Sequence, residues 1–349
     1  MFGSGCLAGL AIVPHPALAD ESGLPAPAAL AIMALRPGVP RMRPSSILLS
    51  LLLALAANAV AQDEDASGAD PDVARTDDDE AAGTGDAVPD ALAALLAAEA
   101  AFGADVASRG VRDGFLRHLA DEAIVFRPLP TPARAWFAAQ AEPDFLLQWT
   151  PWFAEVAGAG DFGYSLGQWT SNPLDGESRP AGHGHYLTVW IRLPDGQWKV
   201  LADHGIGGVA QPAGEPATVV VQGADRSAPA QGSWLMNTRW VALQEASLRL
   251  AGSQAQEQPV SASWLATDLL VLRPGRGPVS GHEATRLVVT DRHGGSVPVT
   301  TLMAASGDLG ISLGGEEGVG AWLRVWRHVD DRGWLLAVDV ATPVPPAAP

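Results

Sequence analysis

Cysteine is almost missing from this chain: its 349 residues contain one, Cys6, near the N-terminus. The body of the protein therefore has no internal disulfide and no thiolate metal site. Lysine is reduced to Lys199, beside twenty-one arginines, and tyrosine to Tyr164 and Tyr186. Positive charge is scarce overall. The formal net charge is −17, and no basic face of the kind a phosphate-backbone binder needs is visible, so nucleic acid is excluded as a partner. Paired CxxC motifs are absent as well, since the chain has a single cysteine.

Much of the negative charge is local. Eleven acidic residues between Gln62 and Asp90 face the single Arg75, and large apolar residues hardly occur there. Such a stretch cannot bury enough to offset its ordering entropy, so 62–90 reads as a disordered acidic linker. Upstream, 1–61 reads as an N-terminal extension and signal peptide. Met42-Arg43 supplies a start and a positive charge, Ile47–Ala57 an apolar core, and Ala59-Val60-Ala61 a small-x-small cleavage site. The apolar run is too short to remain as a stable membrane anchor. Export to the periplasm or beyond is the expectation, with Gln62 as the mature N-terminus.

The rest of the chain says one thing twice. His185–Gly205 (HYLTVWIRLPDGQWKVLADHG) returns as Ala321–Ala341 (AWLRVWRHVDDRGWLLAVDVA), with Leu187, Val189, Trp190, Asp195, Trp198 and Asp203 falling on Leu323, Val325, Trp326, Asp331, Trp334 and Asp339. Each copy reads as a β-hairpin around a polar turn. Leu119–Pro128 is echoed by Leu265–Pro274, and Gly160–Gly167 (GDFGYSLG) by Gly307–Gly314 (GDLGISLG). Three blocks in one order mark a duplication. Leu92, Leu95, Leu96, Glu99, Phe102 and Val106 recur at three and four, which predicts a helix opening the first copy; Leu243–Leu250 opens the second. The boundaries are 91–207 for the first domain, a Gly/Pro-rich linker over 208–232, 233–342 for the second domain and a disordered tail from 343. Copy two has no evident counterpart of the Pro132–Gln140 helix.

A helix, a short helix, a strand, a third helix and a meander ending in VW-x-R/H-x-x-D-G-x-W resembles the nuclear-transport-factor-2-like (NTF2-like) superfamily, and within it the bacterial DUF4440 and SnoaL-like domains. The resemblance implies an α+β fold: two tandem cones, each a curved antiparallel sheet wrapped around helices, packed as an intramolecular pseudo-dimer in a monomeric chain. It specifies a fold and not a reaction, because relatives use the cone as isomerases, dehydratases, ligand binders or hubs.

Strand alternation then nominates residues. Tyr186, Thr188, Trp190 and Arg192 share one mixed aromatic and polar face, the kind that lines a ligand cavity or packs against a partner repeat. Trp136, Trp149 and Trp152 add aromatic walls, and Arg324 in copy two is a candidate bidentate holder of a carboxylate or phosphate. Asp203, among Leu201, Ala202 and Ile206, is the acid/base candidate, with Tyr164 or His185 as its partner; because Asp339 repeats it, a structural hydrogen bond is the competing reading. His183 and His185 share a face when extended, but two ligands do not make a metal site, and no metal or cofactor is expected. Three functions remain open: a small apolar or aromatic molecule bound in the first cone, a proton-transfer enzyme of the isomerase or dehydratase class, or a non-catalytic interaction protein.

Overall fold

A computed structural model of the chain describes residues 87–176, 181–208, 226–290, 295–296 and 298–346. The signal-like segment and nearly all of the acidic linker lie outside the described residues.

Helix α1 (Ala87–Arg109) buries Leu92, Leu95, Glu99, Phe102 and Val106 on one stripe, a spacing of three and four that keeps one face toward a sheet. It is long and apolar enough to cross a membrane by length and composition, but that stripe is spent on the protein core. The chain reverses at Gly110, whose φ of 91° is a conformation that favours glycine. Helix α2 (Val111–His118) and strand β1 (Leu119–Phe126) follow, then β2 (Pro130–Pro132) and α3 (Ala133–Ala139). The meander β3 (Phe145–Val156), β4 (Phe162–Pro173), β5 (Gly182–Arg192) and β6 (Trp198–Gly207) completes the first domain.

The second domain repeats this plan with α4 (Ser233–Ala255), β7 (Leu265–Leu272), β8 (Val279–Ser280), α5 (Gly281–Thr290), β9 (Pro298–Met303), β10 (Leu309–Glu316), β11 (Gly320–Val329) and β12 (Gly333–Thr342). Strand order is β2-β1-β6-β5-β4-β3 in one sheet and β8-β7-β12-β11-β10-β9 in the other. The architecture is α+β, two sheets in tandem. Each sheet is mixed, because β1 runs parallel to β6 and β7 parallel to β12. A strand that meets its neighbour only after a helix and four intervening strands is free of the antiparallel constraint of a hairpin.

Two expectations need correction. Helix α5 is the counterpart that copy two was expected to lack: it follows β8 as α3 follows β2, and it buries Ala284 and Val288. Its end, Val288-Val289-Thr290, is β-branched, which hides a helix from a propensity reading. The segment after 343 is not loose throughout either, since Val344 is buried and Gly318 N–H donates to the Pro345 carbonyl.

The two sheets also share a core. Leu166, Leu187, Val189 and Ile206 of the first sheet belong to one buried cluster with Ile311, Leu313, Leu323, Val325, Val338 and Val340 of the second. Polar groups stitch the same seam. Arg327 Nε donates to Glu155 Oε2 at 2.9 Å, its Nη1 to Asp268 Oδ2 at 2.6 Å and its Nη2 to the Tyr164 hydroxyl at 3.2 Å. Arg226, from the end of the expected linker, pairs with Asp308 at 3.2 Å and with Glu155 at 3.4 Å.

Candidate functional site

Register decides which side chains meet. Ser165, Thr188 and Asp203 are cross-strand partners and share one face of the first sheet; Tyr164, Val189 and Ala202 form the adjacent row and point the other way. The first row faces α1, as the bond from Ser165 to Glu99 requires. The second faces the other domain, as the bond from Arg327 to Tyr164 requires.

At the centre of the inner face lies Glu99, a carboxyl on α1 that is 2% exposed. It accepts from Trp149 Nε1 at 2.9 Å, Ser165 Oγ at 2.5 Å and the Tyr186 hydroxyl at 2.8 Å. Trp190 Nε1 in turn donates to Ser165 Oγ at 3.0 Å. Burial pushes the Glu99 carboxyl above the usual carboxylate range, the three donors pull it back in part, and the Asp203 charge adds to the rise. Glycines make room for this arrangement. A Cβ on Gly167 would stand 2.5 Å from the Tyr186 hydroxyl oxygen, and one on Gly184 would collide with the Ile206 carbonyl at 1.9 Å and with Trp169 at 2.8 Å.

Asp203 occupies the outer part of the same face. Thr188 Oγ1 donates to its Oδ1 at 2.8 Å. Burial raises its pKa, while the Thr188 hydrogen bond and the charge of Arg127 offset part of the rise. Asp203 is nevertheless only half-buried, and Gly205 and Gly207, next along that face, are exposed. No atom lies within 4 Å of where a Cβ on Gly207 would be, and only Trp169 Nε1, at 3.7 Å, approaches that of Gly205. The cone is thus open beside Asp203 and closed around Glu99. Half-buried Trp149 and Trp169 are register partners on this face, and Phe102 packs edge-on to Trp149 with centroids 4.7 Å apart.

The nominated residues divide accordingly. Tyr186, Thr188, Trp190, Trp149 and Asp203 come together on the inner face. Tyr164 and His185 do not join Asp203: both point toward the seam, where Tyr164 donates to Glu155 at 2.6 Å and His185 is 1% exposed. The period of two puts a residue at odd offset from Thr188 on the opposite face, and burial alone could not reveal that. Arg192 lies beyond the cone, exposed, with its Nε on the Gly196 carbonyl at 3.3 Å. Trp152 sits at the β3 bulge between Pro151 and Phe153, with its ring 6.5 Å from that of Phe153. Trp136 flanks the mouth on α3, where the Arg127 guanidinium lies over its ring at 4.6 Å.

Arg324 is engaged otherwise than expected. It is fully buried, with Nε on Asp339 Oδ1 at 2.9 Å and Nη2 on Gln254 Oε1 at 2.5 Å, and its guanidinium stacks on Trp322 at 4.2 Å. Arg273 also bonds Asp339, through the carboxylate and through the backbone carbonyl at 2.8 Å. Burial pushes the Asp339 carboxyl up, but the two guanidiniums outweigh it and bring it down to about 2. The second cone is therefore filled by its own ion-pair network.

Equivalent positions explain the difference. Leu95 packs over Gly163 as Leu243 packs over Gly310, so Glu99 in α1 corresponds to Ser247 in α4. Thr188 corresponds to Arg324, and Asp203 to Asp339. Among the described residues copy one keeps two carboxyls without an ion pair, and copy two has one carboxylate held by two arginines. Glu99 was legible as the only acid within an apolar helical stripe; Ser165 and Trp169 carried no comparable signal. A separate cavity of about 470 Å³, bordered by Phe162, Ile191, Lys199, Leu201, Leu302 and Met303, lies on the outer face, at the seam.

No protein-family model matches the chain, and no curated protein matches it. Solved structures do resemble it. An NTF2-like superfamily protein from Salmonella enterica is 13% identical with a TM-score of 0.28, over 36% of this chain and 97% of that one. An NTF-2 like protein of unknown function from Shewanella oneidensis is 12% identical with a TM-score of 0.27, over 32% of this chain and 96% of that one. The Delta 5-3-ketosteroid isomerase from a Mycobacterium species is 15% identical with a TM-score of 0.25, over 32% and 90%. One helix-and-sheet plan and one strand order are present twice, the two tandem α+β domains that the resemblance to the NTF2-like superfamily implied.

Proposed function

We propose that the first domain binds a small apolar or aromatic molecule at the open end of its cone. One observation carries the reading: Asp203, half-buried beside the exposed Gly205 and Gly207, shares its face with Trp149, Trp169 and Tyr186, whereas the matching Asp339 is sealed by Arg273 and Arg324. Aromatic walls with a few fixed polar groups are what a site for a small organic ligand requires. On this reading the second domain covers the outer face of the first sheet. Export belongs to the same proposal and rests on Met42–Ala61.

A second reading is proton transfer. Asp203 and Glu99 both have raised pKa values on one face, with Tyr186 bonded to Glu99, a set that suits Asp203 as base and Tyr186 as hydrogen-bond donor. Titration of the purified protein with a naphthalene probe, followed by tryptophan fluorescence, separates the readings. Binding that weakens at least about fivefold in Asp203→Asn or Tyr186→Phe, without loss of folding, supports a ligand site there. Turnover of small carbonyl compounds that vanishes in Asp203→Asn would favour the enzyme. Wild type that binds no probe, with variants unchanged in every assay, would leave an interaction protein.

A further inference from the structure

Arg127 and Arg273 close the same strand in the two copies, in Phe126-Arg127-Pro128 and Leu272-Arg273-Pro274. Arg273 is buried, bonded to the Leu272 carbonyl at 2.9 Å, to the Asp339 carbonyl at 2.8 Å and to the Asp339 carboxylate. Arg127 keeps only the first of these contacts, Nη1 to the Phe126 carbonyl at 2.7 Å. Its guanidinium lies over Trp136 at 4.6 Å and is 5.9 Å from the Phe137 ring. No carboxylate among the described residues is paired with it. Asp203 is close enough for its charge to act on Arg127, yet it takes its hydrogen bond from Thr188 instead.

The cone mouth of copy one thus holds a planar cation with most of its donors uncommitted, supported from below by an indole. A guanidinium laid on an aromatic face keeps its in-plane donors available, and that fork matches the two oxygens of a carboxylate. The matching arginine of the second domain, Arg273, is by contrast held by the Asp339 carboxylate and carbonyl. We propose that Arg127 is the anchor for an organic carboxylate, whose charged end pairs with the guanidinium at the mouth while its apolar body enters along Trp136 and Trp149 toward Asp203. The ligand class is then an aryl or short alkyl carboxylate. This rests on the first cone being a ligand site and adds the charge of its ligand. Asp203 does not oppose the anion when it carries its proton, in which form it is a donor facing the same opening.

The test pairs 2-naphthoate with neutral 2-naphthamide, on the full chain at pH 6, with wild type, Arg127→Gln and Arg127→Lys compared by calorimetry and tryptophan fluorescence. Wild type should bind the carboxylate roughly tenfold or more tightly than the amide, the scale of a charge-assisted hydrogen-bond pair. Arg127→Gln should erase that preference while leaving amide affinity within about twofold, and Arg127→Lys should restore part of it. Equal affinity of wild type for both probes overturns the carboxylate assignment and leaves the cone site standing. A preference that survives Arg127→Gln overturns the role of Arg127. Absence of binding by either probe overturns the cone site along with it. Thermal melts of each variant show whether a loss reflects unfolding; a Gln variant that melts with wild type and binds both probes with about the affinity of the amide is the supporting result.

Discussion

Thr188 donates a 2.8 Å hydrogen bond to Asp203, at the point where the second domain places an arginine. That one position separates a carboxyl whose pKa is raised by burial from one that two guanidiniums bring down to about 2. On the proposed reading, which of the two repeated hairpins can receive a ligand is decided there.

Thr188→Arg should carry the arrangement of copy two into copy one. An arginine at 188 reaches Asp203 from the adjacent strand, as Arg324 reaches Asp339, and occupies the opening beside Gly205. Probe binding should fall by at least about tenfold with the fold intact. A titration in which Thr188→Arg binds as wild type does would show that the opening lies elsewhere.

The seam should depend on Arg327. Glu155 and Tyr164 lie fully buried against it, so Arg327→Leu removes the nearer of the two cations on Glu155, leaving Arg226 at 3.4 Å, and should cost about 3 kcal/mol. Adding Glu155→Leu should recover much of that loss, because removing both partners also removes the desolvated charge. Urea unfolding of the single and double variants checks this. A double variant no more stable than the single one would mean that the network matters for packing rather than for charge.

His204 sets an acid limit. It is 1% exposed and stacked on Phe126 at 3.8 Å; burial, with the charges of Arg127 and Arg273, lowers its pKa to about 3 against a slight opposing pull from Asp339. The folded state therefore holds it neutral while the unfolded chain takes up a proton near pH 6.5. Its contribution to stability is complete above that value and shrinks as the pH falls toward 3, by an amount on the order of 4 kcal/mol at the acid end. His204→Phe should flatten the dependence of melting temperature on pH between 6.5 and 4. Parallel curves for variant and wild type would contradict it.

Repetition was legible in the amino-acid order because two hairpins with the same β-branched and aromatic spacing need no third dimension to be compared. Alternation likewise assigned Tyr186, Thr188 and Trp190 to one face, since a strand's period of two is local. Glu99 was not nominated, although a lone acid in an apolar stripe is a signal the sequence carries, and its partners Trp149, Ser165 and Tyr186 come from three different strands, brought together only by sheet order. Tyr164 and His185 were nominated as partners of Asp203; alternation from Thr188 already turns His185 to the opposite face, and for Tyr164 it is the pairing with Val189 that does so. Arg127 and Arg273 read alike, as do Asp203 and Asp339. Only the packed molecule distinguishes them, because the fate of a charged side chain depends on the residue opposite it, Thr188 in one sheet and Arg324 in the other, and that neighbour is a property of tertiary structure.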